Sequence, residues 1–173
     1  MSNTYTKTAW VNGTTPYINA ENLNKIEQGI ENAIGQGNTN ETAIDALETL
    51  LTPQTAEASF TGLFQNYSTG SNPHFIKIGR LCMVYGVAKP TEAIPGSATH
   101  QTMFTIPAGY IPVANLNYVC HGSYAKLWMF TIDTGGNATF SRLAAGADYT
   151  QTAGTAEWLP FNATYICAET NNG

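Results

Sequence analysis

From Leu23 to Leu51 the apolar residues return at a seven-residue spacing. With Leu23 at heptad position a, Leu23, Ile30, Gly37, Ile44 and Leu51 fall at a, and Ile26, Ala33, Asn40 and Leu47 at d. Seven of these nine seam positions are apolar and the other faces are polar. So narrow a stripe favours an intermolecular coiled coil over the alternative, a helix lying on a β domain, which would show a wider apolar face. Asn19 is placed to cap the helix start, Glu21 sits near its positive end, and Pro53 stops the pattern. Within Gly35–Asn40 the two glycines each cost about 1 kcal/mol in a helix interior, and Asn38 with Glu41 offers a second cap. The segment therefore admits a break, yet the heptad keeps phase across it, so both halves face one axis. Asn40 is either a register-setting polar layer, with or without a water or ion, or part of a loop.

After Pro53 the period changes. Short β-prone runs at Phe75–Ile78, Leu81–Val87, Thr102–Ile106, Tyr118–Cys120, Leu127–Ile132, Ala138–Phe140 and Thr164–Ala168 are separated by turn residues, the pattern of a sandwich or jelly roll. Residues 133–137 (Asp-Thr-Gly-Gly-Asn) predict a hairpin turn whose single acid is too few ligands for calcium. Leu127–Ile132 is apolar at both parities, so both its faces should be covered: Trp128, Phe130 and Ile132 by the core, and Leu127 and Met129 by a neighbouring subunit or a loop. The fold expected is mainly β with an N-terminal α-helix: an arm over 1–19, a helical coiled-coil stalk over 20–52, and a jelly-roll-like β-sandwich over 53–173.

Composition narrows the function. Charged residues are only 11% of the 173-residue chain, and 43% is hydrophobic. Most of the net charge of −5 lies in the helix, where six acids over residues 20–52 face one base, Lys25; residues 53–173 carry six acids and five bases. No basic patch is available to neutralise phosphates, which disfavours nucleic acid and anionic membranes. The first residues lack the apolar run of a signal peptide, and no segment approaches the roughly 18 apolar residues of a membrane span. Cys82, Cys120 and Cys167 are odd in number and each sits in an apolar strand-like run, which favours buried reduced thiols over a disulfide or metal site. Trp10 and Tyr17 in the N-terminal arm either fold back on the stalk or dock into a larger assembly.

Two sets of residues resemble a known family. Trp10-Val11-Asn12-Gly13, followed by the run Ile18–Ile30, resembles the N-terminal region of tail-fibre and baseplate proteins of phages infecting Gram-positive bacteria. Residues 79–86, then 106–112, then 158–166 are similar to the strand, proline-turn and closing-strand pattern of phage receptor-binding heads. Ile111 stands where that pattern has a basic residue between aromatic and proline, which removes a polar contact there. The resemblance implies a homotrimer, attachment of residues 1–19 to other baseplate or tail proteins, location in the virion after assembly in the host cytoplasm, and a head that binds host cell-wall saccharide. Isoleucine at both Ile26 and Ile30 also leans away from a dimer.

No catalytic motif appears. Glu57, Glu92, Asp133, Asp148, Glu157 and Glu169 form no local carboxylate pair of a glycosidase, His74, His100 and His121 lack metal-ligand spacing, and no nucleophile motif is present. A non-enzymatic protein without cofactors is expected; a structural connector without receptor binding is the alternative, and a polysaccharide depolymerase a more distant one. A saccharide site needs an aromatic beside planar polar groups. The stretch 142–158 is richest in both, giving Arg142, Asp148, Tyr149 and Trp158 as ligand-binding candidates, with His100 outside it. Arg142 can also be read as a surface cation and Trp158 as core.

Overall fold

The computed structural model describes residues 19–94, 100–123, 126–142 and 157–168. The chain divides into two compact units, the first ending at Leu50 and the second starting at Leu51.

The first unit's helix, α1 (Ala20–Leu51), is unbroken. Asn19 caps it, its Oδ1 accepting the Asn22 N–H at 2.9 Å. The glycine segment continues as helix, and its polar residues bond along the axis: Thr39 Oγ1 to the Gly35 carbonyl at 2.9 Å, and Gln36 Nε2 to Asn40 Oδ1 at 2.9 Å. Asn38 therefore does not restart a second helix. No α1 residue is buried, and Leu23, Ile26, Ile30, Ile34, Ile44, Leu47, Leu50 and Leu51 are all exposed.

The second unit is two antiparallel sheets packed face to face. One contains β1 (Gln54–Glu57), β2 (Phe64–Asn66), β3 (His74–Ile78), β4 (Leu81–Pro90) and β9 (Leu159–Ile166). β3 and β2 lie along one edge of β4, and β9 pairs with β4 from Leu81↔Ile166 to Ala88↔Leu159. The other sheet runs β5 (Gln101–Thr105), β8 (Asn137–Arg142), β7 (Leu127–Ile132), β6 (Leu116–His121). Alternation decides what goes inside: Cys82, Val84 and Ala88 of β4, Leu159, Phe161, Ala163 and Tyr165 of β9, and Trp128, Phe130 and Ile132 of β7 are buried. A bulge between Thr102 and Phe104 turns both Met103 and Phe104 into the core.

Aromatic rings join the sheets. Phe161 lies 4.8 Å from Phe130 and 5.4 Å from Phe104, and Phe64 lies 5.7 Å from Phe140. Gly86 makes room for this: it pairs directly with Phe161, whose ring would stand 2.6 Å from any added Cβ. The sheets also meet at one side, where the Tyr118 hydroxyl of β6 donates to the Thr164 carbonyl of β9 at 3.1 Å.

The cysteine expectation changes. Cys82 and Cys167 form a disulfide, with Cα atoms 6.1 Å apart, so only Cys120 is a free thiol. Cys82 and Cys167 are buried, as the apolar runs imply, whereas Cys120 is half-buried; what the runs do not reveal is that the β4–β9 register sets Cys82 opposite Tyr165 and hence diagonal to Cys167. Among the described residues the second face of β7 is only partly covered: Leu127 is exposed and Met129 half-buried.

Candidate functional site

The outward side chains of the second sheet form a polar row. Register sets Thr102 opposite Thr139, Thr139 opposite Thr131, and Thr131 opposite Asn117, one residue from each of β5, β8, β7 and β6. They line a cleft of about 500 Å³ whose lower end is formed by Asn115, Asp133 and Asn137 and whose upper end by His100.

The lower end is already committed. Asp133 holds the β7–β8 turn, its Oδ1 accepting the Asn137 N–H at 2.8 Å, while Asn115 Oδ1 accepts the Thr134 N–H at 2.9 Å. Along the row, Thr131 Oγ1 donates to Asn117 Oδ1 at 2.7 Å, which turns the Asn117 amide so that its NH₂ is the group left to donate. Thr139 is only 7% exposed, yet its hydroxyl has no hydrogen-bond partner. Buried hydroxyls are normally satisfied, so an unpartnered one on a cleft wall is suited to a ligand or water oxygen. His100 has left-handed backbone, φ 53°, with its N–H donated to Ser141 Oγ at 2.9 Å. The cleft thus offers neutral donors and acceptors, with its one carboxylate engaged in the turn.

A second constellation lies at the end of the sheets where β5, β7 and β9 begin and β6 and β8 finish. Trp158 is 39% exposed and therefore not core; its backbone exchanges bonds with Ser123 at 2.8 and 3.1 Å, and its ring meets His121 edge-on at 6.4 Å. Beside it Glu157 is buried against Lys126, with Oε1 in the ion pair and Oε2 unpartnered. Arg142 closes β8 opposite Trp128. Strand register sets His100, Arg142 and Trp158 at this one end, opposite the end where the chain enters at Gln54. Asp148 and Tyr149 lie outside the described residues.

The chain is similar in fold to a phage receptor binding protein. That protein is the receptor binding protein (gp15) of Listeria phage PSA, matched at a TM-score of 0.52 and 14% identity over 91% of this chain and 92% of that one. At this identity the likeness shows the fold: mainly β, two antiparallel sheets and one N-terminal helix. No family model matches the sequence, and no curated protein does. Among the described residues no helix is long and apolar enough to cross a membrane, and no three His, Cys, Asp or Glu side chains converge on a metal position.

The Thr–Asn row escapes a reading of single segments because its members come from four strands. Its only local signal is a polar residue inside an apolar run, Thr131 between Phe130 and Ile132 and Thr139 between Ala138 and Phe140.

Proposed function

We propose that this chain is a receptor-binding protein of a phage tail fibre or baseplate, and that it adsorbs to host cell-wall saccharide through the cleft on the second sheet. The unpartnered Thr139 hydroxyl, flanked by Thr102 and Thr131 with Asn117 one strand beyond, carries the choice of ligand class. Sugar hydroxyls both donate and accept, and a cleft of neutral amides and hydroxyls suits a neutral glycan better than an anion. The fold likeness over nearly the whole of both chains supports the phage setting. In this reading residues 20–52 are a trimeric coiled-coil stalk, 53–173 a jelly-roll-like head, and 1–19 the arm that joins other tail proteins in the virion. The exposed apolar seam of α1 supports the stalk.

The test is adsorption of the purified chain to a panel of bacterial cell walls, with release of reducing sugar followed in parallel. Asn117→Ala with Thr131→Ala should abolish adsorption without loss of folding. Loss only on Asp148→Ala with Tyr149→Ala would move the site to the 143–156 stretch. Failure to adsorb to any wall favours a structural connector, and sugar release a depolymerase.

A further inference from the structure

Beside the polar row the outward face of the second sheet changes character. Register sets Val119 opposite Met129 and Met129 opposite Ser141, whose Oγ meets the His100 N–H, so a second row runs parallel to the first. The two rows are a step of two residues apart along each strand, about 7 Å. On β7 and β6 the second row is apolar. Val119 is 68% exposed, the most of any large apolar side chain among the described residues, and Met129 beside it is half-buried. Asn117 precedes Val119 on the same face of β6, and its amide oxygen is already taken by the Thr131 hydroxyl at 2.7 Å, which leaves its NH₂ to donate. A free amide donor and a bare methyl surface therefore stand side by side at the edge of the cleft. Neither row contains Asp, Glu, Lys or Arg.

We propose that this pair selects an acetyl group on the glycan in the cleft: the acetyl oxygen accepts from the Asn117 NH₂, and the acetyl methyl rests on Val119 and Met129. The proposal rests on the receptor-binding reading and narrows its ligand from neutral glycans in general to acetylated ones. An acetyl group carries its oxygen and its methyl on one carbon, so a single substituent meets both neighbours. A hydroxyl would satisfy Asn117 and leave Val119 bare, and the methyl of a deoxy sugar would do the reverse. Met129 supplies a polarisable, adaptable thioether against the methyl. Charge points the same way: an amino sugar without its acetyl group is a cation, and the one carboxylate lining the cleft, Asp133, is held by the Asn137 N–H at 2.8 Å. The unpartnered Thr139 hydroxyl lies two strands from Asn117, about 10 Å, where a hydroxyl on the far side of the same sugar can reach it. Amide-linked and ester-linked acetyl groups share this chemistry, and the test separates them.

The probe is a bacterial cell wall to which the full chain adsorbs, treated first with mild alkali, which removes acetyl esters, and then with strong alkali, which removes acetamides as well. Adsorption should fall at one of the two steps. A fall at the first identifies an ester; a fall at the second, reversed by acetic anhydride, identifies an acetamide. Val119→Asn alters a side chain that is mostly in solvent, so the fold should be kept. It should weaken adsorption to the untreated wall about fourfold per site, the worth of one buried methyl group, and reduce the preference over the deacetylated wall, while Val119→Ile keeps both. Adsorption that is unchanged through both treatments overturns the proposal and leaves the receptor-binding reading standing. So does a Val119→Asn chain that melts lower with its preference intact, which would mean that protein, not ligand, covers Val119. A chain that adsorbs to no wall removes the receptor-binding reading and this proposal with it.

Discussion

Replacing Thr139 by Val tests the cleft at its least exposed polar atom. The side chain stands between Thr102 and Thr131 in the ladder, 7% exposed, with an unpartnered hydroxyl. Valine keeps the β-branched shape and exchanges the hydroxyl for a methyl, so packing should survive. A buried hydroxyl without a partner costs about 1–3 kcal/mol, and water entering the cleft recovers part of that, so the free protein should gain about 1 kcal/mol. For a domain of this size that raises Tm by about 3–6 °C. If a ligand oxygen is the missing partner, the same exchange removes one hydrogen bond, about 1 kcal/mol or fivefold in affinity per site. The two effects have opposite signs, so calorimetry and cell-wall adsorption on one variant separate them. A variant destabilised by more than about 1 kcal/mol would mean that the hydroxyl is already satisfied within the protein. A variant that is more stable and adsorbs undiminished would remove this cleft from recognition.

Three further outcomes are expected. Phe104→Ala should cost about 3–5 kcal/mol, read as a lower urea midpoint, because Phe104 is fully buried among Phe60, Phe75, Phe130 and Phe161. Burial raises the Cys120 thiol from its ordinary 9.0 to about 11, so the unfolded chain ionises first: stability from this group is intact below pH 9 and falls towards pH 11. Cys120→Ala should therefore remove the decline between pH 9 and 10, before the tyrosines contribute, in thermal melts across that range. Gly35→Ala should stabilise α1 by about 1 kcal/mol, seen by circular dichroism at 222 nm, since an added Cβ there meets nothing within 4 Å; a lower melting temperature would mean that another chain approaches closely at Gly35.

What the sequence made legible follows the apolar content of each element. β7 was predicted with its observed bounds because its inward positions Trp128, Phe130 and Ile132 are all large and apolar, and β4 and β3 to within a few residues because apolar side chains stand on both of their faces. β1 and β2 were not predicted: Gln54-Thr55-Ala56-Glu57 offers the core only a half-buried alanine, and Phe64-Gln65-Asn66 a single ring, so their pairing comes from neighbours rather than from their own pattern. The continuous helix shows the opposite error, in which local glycine cost suggested a break that propagation on both sides overrides. For the site, His100 could be proposed from residue type, whereas the Thr102–Thr139–Thr131–Asn117 row depends on register between strands distant in sequence, to which residue type is blind.

The pairing of β4 with β9 also sets the order in which the β domain can form. Leu81 must find Ile166, and the Cys82–Cys167 bridge closes a sequence separation of 85 residues. During synthesis β1, β2 and β3 can dock on one side of β4 early, but its other edge stays unpaired while β5 to β8 are made. Contacts this distant in sequence slow folding, and an open strand edge is a template for pairing with another chain. Nascent chains growing side by side are thus most prone to mispair in the interval before β9 emerges, and a stop codon anywhere in β9 would leave β4 without its long partner and expose the Phe104–Phe130 side of the core that Phe161 covers.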